Sequence, residues 1–300
     1  MKKAFIILAH QLPEQLNVFT EQILCDSESE AFIHVNKLCE NIIPKINLNE
    51  RVHISKNNIA IHWGSDEVLQ ALLIMMKEVL DYNKTFDYVI ICTGQDLLIN
   101  NGLDDFLKTN YGKVIIEVCK AEGDFYNRYV RARLLYKWPE IYRRKYDFRY
   151  HPFRLMRAIR YRYTLTGKWP FSKKKVDYDV SNMTFFKDWY WSAIPIDVVS
   201  FIINFMSNNP TYWSIYKNGY LPEEGFITTL LMNNGMSDRL LDKTMTYIKP
   251  MRNNHPPIFT VSDIDELEIC GCSIARKFDM RVDGKVIEYY KDKLLKSKSQ

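Results

Sequence analysis

Six apolar residues in a row, 4–9, stop at polar His10, and short, mostly apolar runs recur at 31–35, 52–54, 88–92 and 114–118. Runs this short, rich in Val, Ile and Phe, predict strands buried on both faces, as in a parallel sheet. Between them the apolar spacing changes to a helical period over 14–24 and again over 66–80. In the second of these helices Val68, Leu69, Leu72, Leu73, Met76 and Val79 share one face, and Ser65 is placed to cap it. Strands alternating with helices predict βαβ units, hence an α/β fold with a mostly parallel central sheet flanked by helices. The second half is less regular. It predicts a Trp-rich strand at 188–192, an apolar helix at 196–206 and a helix at 222–232 with Pro222 in its first position. A Pro- and Asn-rich loop at 249–257 follows, then a last unit at 263–278. Residues 281–300 read as a basic, frayed tail.

In open α/β sheets, ligands sit at the carboxyl ends of strands. That rule nominates His10-Gln11 after the first strand, His34-Val35-Asn36 after the second, and Thr93-Gly94-Gln95-Asp96 after the fourth. Each cluster is equally readable as a capping turn.

Composition narrows the class. The chain has 300 residues and is 47% apolar, which is enough to bury a large core. Its six cysteines form no C-x-x-C and no regular spacing, so the expectation is a reduced, intracellular protein without disulfide framework or zinc module. No window holds eighteen uninterrupted apolar residues, so any membrane contact is expected to be peripheral. The net charge of +5 is unevenly spread: 141–176 holds twelve Lys or Arg against Asp147, a local +11, and the remainder carries −6. Within that segment 152–167 has a helical pattern, with Leu155, Met156, Ile159 and Tyr163 on one face and Arg154, Arg157, Arg160 and Arg162 spread over the other. Such a helix suits an anionic membrane surface or the phosphates of a lipid-linked acceptor, or simply packs on the body. No nucleic-acid-reading motif accompanies it, and nucleic acid is not an expected partner.

Taken in order, the strand ends resemble the core-2/I-branching enzymes, inverting glycosyltransferases that include branching N-acetylglucosaminyltransferases and peptide xylosyltransferases. Ile7-Leu8-Ala9-His10-Gln11-Leu12-Pro13-Glu14-Gln15-Leu16 is similar to the family's first strand and PEQL turn, and Phe32–Lys37 to its H-V-D-K strand end, with Asn36 in the aspartate's place. Trp63-Gly64-Ser65 resembles its W-G-G/S, and 86–96 its strand ending in S-G-Q-D. Trp189-Tyr190-Trp191-Ser192 resembles an acceptor-side Trp element, 221–230 its P-D/E-E helix, and 273–279 its terminal F-A-R-K-F-D.

The resemblance implies a single GT-A-like glycosyltransferase domain over 1–300. Residues 1–120 would form the nucleotide-sugar half, 141–176 a basic aromatic insertion, 180–280 the acceptor and catalytic half, and 281–300 the tail. It implies a UDP-sugar donor, a glycan or lipid-linked glycan acceptor, and no metal or other cofactor. The residues agree on the last point: the fourth strand ends with one acid, Asp96, where a metal-binding D-x-D would need two. The two D-x-D strings present, Asp177-Tyr178-Asp179 and Asp263-Ile264-Asp265, follow no apolar strand and read as surface or capping acids.

By the same resemblance, Glu224 is the base that takes the acceptor's proton. Lys277, with Arg276 beside it, neutralises the leaving diphosphate. The family's second diphosphate arginine has no counterpart in place, and Arg252 stands in for it. His10, Asn36, Trp63 and Asp96 complete the expected donor side; Trp189 and Trp191, facing the same way on a strand, with Glu117 and Arg128, form the expected acceptor side. The residues themselves leave other readings open: Glu223 and Glu224 as first-turn acids favouring a helix by about 0.3–1 kcal/mol, and the tryptophans as core. The resulting expectation is an inverting, metal-independent transferase, most readily of N-acetylglucosamine, in bacterial surface polysaccharide synthesis. It would face the cytoplasm, free or peripheral on the inner face of the membrane. Xylosyl or galactosyl transfer, or a non-catalytic carbohydrate-binding scaffold, are the alternatives.

Overall fold

The computed structural model describes residues 1–138, 173–250 and 256–297; the basic helix expected at 152–167, most of the 141–176 segment and Arg252 lie outside the described residues. The first half is a βαβ series: β1 (Lys3–Ala9), α1 (Pro13–Leu24), β2 (Ser29–Val35), β3 (Val52–Ile54), α2 (Glu67–Leu80) and β4 (Tyr88–Thr93). β1 lies between β2 and β4, parallel to both, with Phe5 opposite Ala31 on one side and Ile90 on the other. Every residue of β1 and β2 is buried, which explains the continuous apolar runs. Successive side chains still point to opposite faces. Phe5, Ile7 and Ala9 join Leu16 and Phe19 of α1 in one core, whereas Ala4, Ile6 and Leu8 join Leu69, Leu72 and Met76 of α2 in the other. Asp66 already has helical angles, φ −70° and ψ −8°, and the hydroxyl of Ser65 accepts the Glu67 N–H at 3.3 Å, so Ser65 does serve the helix start.

The second half completes this sheet and builds another. After β5 (Leu97–Leu98) come α3 (Leu103–Thr109), β6 (Val114–Val118), α4 (Phe125–Leu135), β7 (Asp188–Pro195), α5 (Ile196–Asn208), α6 (Phe226–Asn233), β8 (Leu240–Asp242), β9 (Thr246–Ile248), α7 (Ile264–Ile269), β10 (Ile274–Arg276) and α8 (Gly284–Ser297). The large sheet has the order β3-β2-β1-β4-β7-β6-β8, with β7 antiparallel to both its neighbours. A small sheet, β5-β10-β9, stands beside it. This is the mostly parallel, helix-flanked α/β arrangement that the apolar pattern predicts. Among the described residues, no helix is long and apolar enough to cross a membrane.

Three local expectations change. The helix placed at 222–232 begins only at Phe226, because Gly225 has φ 142° and a β-carbon there would sit 2.2 Å from the Phe186 carbonyl oxygen. Pro222, Glu223 and Glu224 therefore lie in a turn ahead of the helix, and neither acid is a first-turn residue. Trp189 and Trp191 do not simply alternate, because Ile116 pairs with Ser192 and Glu117 with Trp189, leaving Tyr190 and Trp191 as a bulge. The bulge lets neighbouring Tyr190 and Trp191 stack at 4.2 Å between centroids. Finally, most of the expected frayed tail is α8, whose Val286, Ile287 and Tyr290 are buried in the core on the α1 side of the sheet, with Leu294 buried as well. Its apolar stripe is interleaved with lysines, which hides it in a compositional reading.

Candidate active site

His10, Asn36 and the turn Thr93–Asp96 follow β1, β2 and β4, so parallel pairing brings all three to one edge of the sheet. Asp96 is fully buried there. It accepts the backbone N–H of Thr93 at 2.8 Å, the Thr93 hydroxyl at 2.8 Å and the Trp191 indole N–H at 3.2 Å. Its fourth partner is Arg276, at 2.9 Å. The chain arranges this directly: β5 begins at the residue after Asp96 and pairs with β10, which ends in Arg276. The guanidinium also donates to the Thr93 hydroxyl at 2.6 Å and lies 4.2 Å over the Trp191 ring. Burial pushes the Asp96 carboxyl up, and Arg276 opposes it.

Lys277 follows at once. Burial, then the neighbouring charge of Arg276, hold its ammonium below the usual lysine range. His10 is lowered by the crowding protein and then by Lys277, Arg276 and Arg281. A lysine and a histidine held down by neighbouring positive charge gain from an added anion, the property needed to receive a diphosphate. Gln15 and Gln95 lock the loop: both side chains donate to the Phe278 carbonyl at 3.2 Å, and Gln15 accepts the Met280 N–H at 3.0 Å.

The second cluster surrounds the 221–225 turn. Glu224 Oε2 accepts from Arg133 Nη1 at 3.0 Å and lies 3.4 Å from Lys187 Nζ, while Oε1 has no partner among the described residues. Burial raises the Glu224 pKa, but Arg133 and then Lys187 outweigh it and the net direction is down, so the carboxylate is ionised. Glu223 is the opposite case. Burial, reinforced by the charge on Glu224, pushes it up to about 8, and its Oε2 has no hydrogen-bond partner. Two adjacent carboxyl groups thus hold different protonation states at neutral pH, a common basis for dividing acid and base roles. Asp188, buried beneath α6 and accepting the Thr228 N–H at 3.2 Å, is likewise raised by burial, to about 7.

β7 joins the clusters. Lys187 precedes it and meets Glu224, while Trp191 meets Asp96 and Arg276. Between them Tyr190 is pushed up by burial and feels the charges of Arg276, Glu223, Asp96 and Glu224 together. The bulge therefore stands between an ionised carboxylate and a cationic loop.

The other expected residues fall at varied places. Trp189 lies 3.9 Å under the Lys187 ammonium and Glu117 is its pairing partner across the sheet, so both border the Glu224 cluster. Burial and then Asp242 push Glu117 up. Arg128 is exposed on α4, whose buried residues Tyr129, Val130, Ala132, Arg133 and Leu134 follow it. The Asn36 carboxamide accepts the Leu38 and Ile61 N–H groups and donates to the Ile61 carbonyl, and so holds its own strand end together. Trp63 packs edge-on against Tyr220, 6.0 Å between centroids, next to the turn that carries Glu224. In the D-x-D strings, Asp263 completes a capping box with Thr260 and Asp179 accepts the Ser181 N–H, both local roles. Among the described residues, no group of three or more His, Cys, Asp and Glu side chains comes together as a metal site.

Sequence reasoning missed Arg133 and Lys187. Arg133 sits at an apolar helix position, and a cation on a buried face was the one available signal.

Residues 4–270 match the description of the Core-2/I-Branching enzyme family. A comparison with curated proteins finds no match. Similar solved structures include the galactosyltransferase LgtC in complex with donor and acceptor sugar analogs, at 8% identity and a TM-score of 0.44, covering 92% of this chain and 86% of that one. Others are 4-diphosphocytidyl-2C-methyl-D-erythritol synthase from Anaerococcus prevotii (11%, 0.40, 89% and 96%) and mouse xyloside xylosyltransferase 1 (9%, 0.35, 91% and 96%). These overlaps are loose, and the assignment rests on the family match, which takes in Asp96 and Glu224 and ends at residue 270, before Arg276 and Lys277. The chain belongs to the Core-2/I-Branching enzyme family of glycosyltransferases.

Proposed function

We propose that the chain moves a sugar from a UDP-sugar to a hydroxyl of a glycan in a single inverting displacement that calls on no metal ion. Glu224 Oε1 takes the proton of the acceptor hydroxyl as that oxygen attacks the anomeric carbon. The bond from this carbon to the diphosphate oxygen breaks on the opposite face, and UDP departs with the electron pair. Arg276 and Lys277 stabilise the charge gathering on the diphosphate. Trp189 and Glu117, beside Glu224, suit the apolar face and hydroxyl groups of an acceptor sugar.

The observation that carries this reading is the placement of an ionised Glu224 at the start of β7, against Lys187, and of Arg276, followed in the chain by Lys277, four residues further on at Trp191. Those are the two charges that the displacement needs, on opposite sides of one reacting carbon. N-acetylglucosamine is the first donor to try, because branching N-acetylglucosaminyltransferases are among the enzymes the sequence resembles.

UDP release measured with UDP-N-acetylglucosamine, UDP-xylose and UDP-galactose, with and without oligosaccharide acceptors, tests it. Glu224→Gln is expected to lower turnover by about 10²–10⁴-fold, the usual contribution of a general base. EDTA is expected to leave the rate unchanged. An active Glu224→Gln would remove the base, and a rate abolished by EDTA and restored by a divalent ion would remove the metal-free step.

A further inference from the structure

We infer that Arg133 is a positioning residue of the transfer, and that with Lys187 it fixes one oxygen of Glu224 so that the other is free to take a proton. The inference rests on the proposed role of Glu224. Arg133 is 2% exposed and spends three N–H groups on one turn: Nε on the Tyr220 carbonyl at 2.8 Å, Nη2 on that of Leu221 at 2.6 Å, and Nη1 on Glu224 Oε2 at 3.0 Å. Its backbone carbonyl accepts the Tyr220 N–H at 3.1 Å, and its guanidinium lies 5.1 Å from the Tyr129 ring centroid and 5.7 Å from that of Tyr220. Both the start of the turn and the carboxylate near its end are therefore held by one rigid group. Lysine cannot copy this, because an ammonium offers no planar fork.

The pairing is also lopsided. An Arg–carboxylate bridge built for stability commonly engages both oxygens; here both cations converge on Oε2, and Oε1 has no partner among the described residues, on a side chain that keeps 16% exposure. A buried ion pair is weak evidence for net stability, since desolvation offsets the attraction. Orientation is what this geometry supplies. It also keeps Glu224 ionised, so loss of either cation removes a downward influence on its pKa.

Arg133→Lys, Lys187→Met and Glu224→Gln are compared by carboxyl ¹³C titration of Glu224 and by kcat, donor KM and the pH profile, using whichever UDP-sugar the wild type turns over. Arg133→Lys is expected to lower kcat by about 10²-fold, the effect of a small misplacement of a reacting group, with donor KM unchanged. Lysine keeps the charge but not the hydrogen bond to Oε2, so its Glu224 titration and the acid limb of kcat/KM are expected to move together to slightly higher pH. Lys187→Met, which removes a cation outright, moves both the same way by more, and it carries the test should Arg133→Lys fail to fold. Wild-type kcat and an unmoved acid limb beside an inactive Glu224→Gln would overturn the positioning role and leave the base in place. Glu224→Gln at the wild-type rate would overturn both.

Discussion

Glu223 and Glu224 are adjacent in sequence and opposite in chemistry, and the difference comes from what each side chain meets. Glu224 reaches two cations; Glu223 turns into the interior with an unpaired oxygen. Glu223 carries a measurable penalty. Its folded pKa of about 8 lies above the ordinary 4.5, so between those values the unfolded chain has released a proton that the folded chain retains. Stability is fully present below this window and falls as pH rises through it, at up to about 1.4 kcal/mol per pH unit. Asp188, at about 7 from 3.8, adds the same trend over a lower range. Glu223→Gln cannot ionise, so the difference between its melting temperature and that of the wild type is expected to shift in the variant's favour from pH 5 to pH 8.5; a pH-independent difference would contradict the buried, protonated state. Glu224, Arg276 and Lys277 are legible in sequence because each lies inside a short motif. Arg133 and Lys187 are not, since their role depends on a carboxylate 91 residues away from one of them.

The elements of the first half were legible for a simple reason: strands buried on both faces must be largely apolar, and the bounds of β1, β2 and β4 agree with their apolar runs to within two residues, buried His34 being the polar exception inside them. The elements that carry the site were less so, because each breaks a periodic rule. Proline at 222 predicts a helix start that Gly225 postpones to Phe226, and that delay is what releases Glu224 from the helix to face Arg133. Gly225→Ala brings a β-carbon against the Phe186 carbonyl and forces φ 142° on an L side chain. It is expected to destabilise the protein by at least about 1–3 kcal/mol in urea unfolding and to lower turnover in whatever folds. Equal stability of the two proteins would show that the turn can relax. The bulge at Tyr190 and Trp191 is a second broken rule, invisible to alternation because the extra residues show only against β6.

At the scale of the whole molecule, the α/β class followed from the order of strands and helices, whereas the small sheet that brings Arg276 to Asp96 did not, its strands being two or three residues long. The last helix was concealed in a basic tail. Val286, Ile287 and Tyr290 are each 0% exposed, and burying side chains of this size contributes about 1.5–3 kcal/mol apiece. Ending the chain after Asp283 is therefore expected to abolish cooperative thermal unfolding, and a truncated protein melting like the full-length one would refute the packing of α8. The antiparallel strand β7 has a consequence for synthesis. Among the described residues β6 pairs with β7 and β8, both encoded well after it, so neither of these sheet partners is present when it leaves the ribosome. At roughly 5–20 residues per second, a nascent chain carries that unpaired apolar strand for several seconds before β7 arrives between β4 and β6. That interval is when a chaperone would have most to protect.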